Sequence, residues 1–91
     1  MNTSALSLVK KAFFSLKTEE DIEHFLEDLM TPKEILEFSK RILAAEMLQK
    51  KIPYTEITEK TGLSSTTIAR VAKCLHGDKQ GYQKVIKKES F

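Results

Sequence analysis

The sequence predicts an all-α fold of about six helices with a helix-turn-helix in its second half. Three observations predict it. Apolar residues recur at spacings of three and four in six successive segments, which gathers them on single helix faces. No extended run of alternating β-branched residues and no Asn-Gly turn signals a strand or a hairpin. Pro53, Gly62 and Gly77 interrupt the helical pattern where successive elements must part.

In the first element Leu6, Val9, Phe13 and Leu16 share one face, with Lys10, Lys11 and Lys17 off it. Thr18 opens the second, with Asp21 three residues on as a shorter substitute for the Glu of a capping box; Ile22, Phe25, Leu26 and Leu29 supply the apolar stripe. The third start is the most strongly marked. Thr31-Pro32-Lys33-Glu34 places a Thr at the N-cap, a Pro where its missing N–H costs nothing, and a Glu able to reach back to the cap N–H. This helix should be the longest, because Ile35, Phe38, Ile42, Ala45 and Leu48 continue one face until Lys50 and Lys51 meet the negative end of the dipole. Pro53 forbids its continuation. There follow a short helix from Tyr54 to Thr61, a break at Gly62, a helix from Ser65 to about Leu75, and a second break at Gly77. A final helix after Asp78 carries Tyr82, Val85 and Ile86 on its apolar side, with Lys84, Lys87 and Lys88 outside.

A chain of 91 residues is expected to make one domain over 1–91, since it buries only about 60–65% of its unfolded surface and cannot support two cores. Partner chains would help it. At 41% apolar and 31% charged residues it should fold, and it shows no internal repeat and no long linker. The net charge of +2 is small, but its distribution is uneven. Met1 to Met30 hold three Lys against six acidic residues, whereas Leu63 to Phe91 hold six Lys or Arg against two. The basic end is where phosphate would be held; a solvated charged face is the other reading of the same asymmetry.

One cysteine, Cys74, excludes an internal disulfide framework, and no Cys or His pair has metal-ligand spacing, so no metal is expected. His24, among Glu23, Glu27 and Asp28, reads as a solvated helix residue; His76, beside Gly77, suits a helix end. Cys74 has no neighbouring base to activate it. No leader and no apolar run near the roughly 20 residues of a membrane span occurs, which points to the cytoplasm and to no membrane partner. No nucleophile, phosphate loop or paired carboxylates argue for an enzyme.

The segment that carries function starts at Tyr54. Ile57, Gly62, Leu63, Ile68 and Val71 stand at helix-turn-helix spacing from it. The four apolar members would close a small core between two steeply crossing helices, and Gly62 would take the left-handed conformation that lets the chain reverse. Thr58 stands where this motif usually has Ala, and its hydroxyl can bond its own helix. Ser64 and Ser65 are candidate N-caps, so the second helix opens with short polar side chains and free N–H groups. The expected DNA-binding residues are Ser64, Ser65, Thr66, Thr67, Ala69, Arg70 and Lys73. Hydroxyls can bond bases or phosphates, Thr and Ala methyls can touch a thymine methyl, and Arg70 can bond guanine bidentately or clamp phosphate. A helical hairpin that binds no DNA is the plainer reading of the same spacing.

The strings Met30-Thr-Pro-Lys-Glu-Ile, Lys40-Arg41, Tyr54-Thr-Glu-Ile-Thr-Glu-Lys-Thr-Gly, Thr67-Ile-Ala-Arg70-Val, and Cys74-Leu75 through Gly81-Tyr82 resemble the Trp repressor family, most nearly its bacterial YerC/YecD-like subgroup. The resemblance covers roughly residues 18 to 88. It implies an intertwined homodimer in which 1–53 and 78–91 form mainly the dimerisation core and 54–75 the helix-turn-helix. It also implies effector-binding roles for Arg41 and Arg70, at positions matching the two arginines with which the founding repressor holds tryptophan. The family glycine after the second arginine, which makes room for the indole, is Val71 here, and the connector before Tyr54 is one residue shorter. Tryptophan is therefore disfavoured and no cofactor is expected. The expectation is a sequence-specific DNA-binding regulator, a repressor reading a pseudo-palindromic operator. A helical protein-interaction module and a repressor gated by tryptophan or another aromatic effector are the alternatives.

Overall fold

The computed structural model describes residues 3–86. Among them it shows six α-helices and no strand: α1 (Thr3–Phe14), α2 (Glu19–Leu29), α3 (Pro32–Gln49), α4 (Tyr54–Thr61), α5 (Ser65–Leu75) and α6 (Gly81–Ile86). The all-α class with about six helices is the one the periodicity predicts. Lys87 and Lys88, expected outside the last helix, lie beyond the described residues.

Local side-chain chemistry starts α2 and α3, as it does α5 below. At α3 the Glu34 N–H donates to Thr31 Oγ1 (3.1 Å) and the Thr31 N–H donates to Glu34 Oε1 (2.9 Å), a complete capping box. At α2 the Asp21 N–H donates to Thr18 Oγ1 at 3.0 Å, but the Asp21 carboxylate takes the N–H of Lys17 at 3.1 Å instead of that of Thr18. Asp is one methylene shorter than Glu, and here its return bond reaches back one residue further.

The end of α3 is built differently from what its lysines suggest. Lys51 adopts a left-handed backbone (φ 64°). Its N–H bonds the Leu48 carbonyl at 2.9 Å, and the Ile52 N–H bonds the Met47 carbonyl at 3.0 Å. This is a Schellman stop, followed at once by Pro53. It places a side-chain-bearing residue where glycine is usual, and it turns Ile52 towards the core, against which that residue packs.

The chain divides into two compact units, Met1–Ile35 and Leu36–Phe91. In the first, α1 and α2 meet through Phe13 and Phe25, whose rings lie edge to face with centroids 5.6 Å apart. No described residue of this unit is buried. The second unit holds the core: Ala44, Ala45 and Met47 of α3, Ile57 of α4, Leu63 of the turn, Ile68, Val71 and Leu75 of α5, and Ile86 of α6. Leu48, Ile52 and Tyr82 pack against it. Helix α5 lies against both α4 and α6. Its inward residues follow a spacing of three and four, so one narrow stripe is buried and the rest of its surface faces out.

Two substitutions test the left-handed positions from opposite sides. Lys51→Gly removes a Cβ from such a backbone and is expected to stabilise the fold by up to about 1 kcal/mol. Gly62→Ala adds one at φ 78°, with no atom within 4 Å to clash. It is expected to cost ~1–2 kcal/mol through backbone strain alone. Urea denaturation measures both; a loss for the first or neutrality for the second contradicts the assignment. Removing the fully buried side chain in Ile68→Ala is expected to cost about 3 kcal/mol in the same assay.

Candidate nucleic-acid interface

Helix α4 begins after Pro53, whose carbonyl receives the N–H groups of Glu56 and Ile57, both at 3.1 Å. It ends at Gly62 (φ 78°, ψ 2°), whose N–H returns to the Thr58 carbonyl at 2.8 Å. Two residues later the chain is extended at Ser64, and the Ser64 Oγ accepts the Thr67 N–H at 3.1 Å, capping α5. A helix end, a reversal and a helix start thus occupy Thr61 to Ser64.

The inside of this turn is apolar with one exception. Ile57, Leu63, Ile68 and Val71 are buried, as is Leu75 one turn on. Thr61 is the one buried polar residue in the described core, and both capacities of its hydroxyl are used: it donates to the Ile57 carbonyl (2.7 Å) and accepts the Leu63 N–H (3.1 Å). Sequence reasoning missed Thr61 while weighing Thr58, which is exposed. The available signal was its place four residues after Ile57, on the inward face of α4.

The outside of α5 is polar and basic. Ser65, Thr66, Ala69, Arg70 and Lys73 are exposed, and Ser64 is exposed at the cap. Thr67 departs from this group. It is half-buried, and both its N–H and its hydroxyl engage Ser64 Oγ, each at 3.1 Å, so it serves the cap. Neither Arg70 nor Lys73 has an ion-pair partner among the described residues, where the one such pair is Lys40 with Glu37 at 4.0 Å. Two free cations and three short side chains therefore share one helix surface next to free N-terminal amides, an arrangement suited to phosphate and base edges.

Within one copy of the chain, Arg41 and Arg70 do not line the same groove. A groove of about 680 Å³ in the second unit is lined by Ile42 of α3, by Arg70, Lys73 and Cys74 of α5, and by Tyr82 and Val85 of α6. Arg70 borders it and Arg41 does not. The Arg41 guanidinium instead lies over the Phe38 ring, 5.7 Å from its centroid, a contact within one helix turn. Val71, 3% exposed, belongs to the core and is not among the residues lining the groove. Among the described residues no group of His, Cys, Asp or Glu is placed to hold a metal ion. No described helix is long and apolar enough to cross a membrane.

The family model of the Trp repressor protein matches residues 4–90. The protein YerC of Bacillus subtilis (strain 168) is 36% identical over 72 residues, covering 79% of this chain and 69% of that protein. A TrpR-like protein of Eubacterium eligens ATCC 27750 has a crystal structure that superposes with a TM-score of 0.81 at 37% identity, over 97% of this chain and 91% of the other. A candidate Trp repressor of Staphylococcus aureus superposes with a TM-score of 0.80 at 29% identity, over 94% and 86%. The family is one of regulators, not of enzymes. With its helix-turn-helix spacing, its six-helix order and a family match from residue 4 to residue 90, the chain belongs to the Trp repressor family.

Proposed function

We propose that the protein is a sequence-specific DNA-binding transcriptional regulator, a repressor that reads a pseudo-palindromic operator as a homodimer. The observation that carries this reading is the outward face of α5, where Arg70 and Lys73 stand without acidic partners among the described residues, beside Ser65, Thr66 and Ala69. In this reading α5 of the 54–75 helix-turn-helix lies in the major groove with its amino end foremost, α4 crosses the backbone, and Ser64 sits against phosphate. Thr67 acts through the cap. Arg70 and Lys73 supply the salt-dependent part of the affinity.

The homodimer is supported by apolar surface that one copy leaves uncovered. Leu36 is 54% exposed, Phe38 44% and Ile42 40% along α3, and Val85 is 54% exposed on α6. A chain of this size has little apolar area to spare in this way. Residues 1–53 and 78–91 are read as mainly the dimerisation core of a single domain over 1–91. A two-fold dimer would set its reading helices about 34 Å apart, one turn of B-DNA. The protein is read as acting in the cytoplasm, with duplex DNA and its own second copy as partners and with no membrane, metal or cofactor. A tryptophan-free mode is supported by Val71, which stands where the family has the glycine that makes room for the indole.

Selection from random duplexes is expected to return one pseudo-palindromic family with half-site centres a helical turn apart. Binding without sequence preference at physiological salt would sink the reading. On the selected site Arg70→Ala should weaken binding by about 1–3 kcal/mol and relax the preference at one position, while Lys73→Ala should lower the salt slope by about 1. Added tryptophan should leave operator affinity unchanged, and sedimentation equilibrium should give twice the chain mass of 10.4 kDa.

A further inference from the structure

The last carbonyls of an α-helix have no partner within the helix and must find one elsewhere. At the end of α5 the His76 N–H takes the Ala72 carbonyl (3.1 Å) and the Gly77 N–H takes that of Cys74 (3.2 Å). The carbonyl of Leu75, whose residue is fully buried, is taken by a side chain from another helix: Gln83 Nε2 of α6 donates to it at 2.7 Å. Gln83 is half-buried, and it is flanked by Tyr82, which packs on the core, and followed by Ile86, which is buried in it. The donor is therefore anchored by its own helix. At the other end of α5, Thr61 ties the Leu63 N–H to the last turn of α4.

We propose that Thr61 and Gln83 are positioning residues that hold the reading helix from both ends, presetting the angle at which its outward face meets DNA. Helix α5 has 11 residues. With side chains a helix has a radius of about 5–6 Å, so a turn of about 20° about its axis moves an outward side chain by about 2 Å. That distance takes a hydrogen bond to a base edge out of range. Phosphate contacts tolerate it better, since they carry a long-range charge term and no sequence information. Loosening either end should therefore reduce discrimination between operator and unrelated DNA more than it reduces binding to DNA in general. A role confined to stability would lower the melting temperature and leave the discrimination of the folded protein as it was.

The inference rests on the DNA-reading assignment, and its test separates the two. Thr61→Val and Gln83→Met keep side-chain size but remove the hydrogen-bonding groups, and Thr61→Ser keeps the hydroxyl. With each full-length variant shown by circular dichroism to be folded at the assay temperature, affinities are measured for the selected operator and for an unrelated duplex. The Val and Met variants are expected to lose about threefold to tenfold of the operator-to-unrelated ratio, the span one hydrogen bond commands, with unrelated binding unchanged. The Ser variant should retain the ratio. An unchanged ratio, or a parallel loss on both duplexes, overturns the proposal. If the parent protein shows no operator preference, the DNA reading fails and amide exchange decides the clamp alone. Faster exchange at Leu63 in Thr61→Val and at Cys74 to His76 in Gln83→Met, with α3 unaffected, upholds it; unchanged exchange refutes it.

Discussion

Between Thr61 and Ser64 the chain must end one helix, reverse and begin another, and everything outward of α5 depends on how it does so. Gly62 accepts φ 78° without a Cβ to strain. That single dihedral lets the next residue, Leu63, point inward onto the core while Ser64 returns to an extended backbone and caps α5. A residue held to negative φ would send the chain on in another direction. Leu63 and the cap would then not both be satisfied.

The turn sets direction, and packing then sets rotation. Ile68, Val71 and Leu75 are spaced so that one stripe of α5 is buried, which leaves Ser65, Thr66, Ala69, Arg70 and Lys73 outside. The core that grips this stripe draws on α3, α4 and α6, so α5 is held by residues distant in sequence. The same economy leaves α3 and α6 with apolar faces partly open, the surface that the proposed second copy would cover. Fold and proposed function therefore share one feature: a small amount of apolar surface divided between holding α5 and pairing with a partner.

Much of this was legible in the residues because the signals are local. Thr31, Pro32 and Glu34 announce a helix start through short-range geometry, and α3 begins at Pro32 with the expected reciprocal bonds. The spans of α4 and α5 agree with the breaks at Pro53 and Gly62. Features set by distant contacts were not legible. Lysine does not favour a left-handed backbone, so nothing in the sequence marks Lys51 as the Schellman residue; the packing of the partly buried Ile52 against the core and the following proline go with it. Thr67 read as one more outward hydroxyl, because only the cap geometry shows its bonds to Ser64. Gln83 meets Leu75 across a turn and a separate helix, a pairing no periodicity encodes. The effector roles of Arg41 and Arg70 came from resemblance alone, and within one copy Arg41 lies over Phe38 of its own helix.

The most direct test of the central claim follows backbone amide resonances of the isotope-labelled protein as a selected duplex is added. If the glycine turn presents α5 to a groove, the largest changes fall on Ser64 to Lys73, strongest towards the amino end of that helix, with smaller ones at the start of α4. Changes centred on the acidic surface of α2, with α5 silent, would contradict the account.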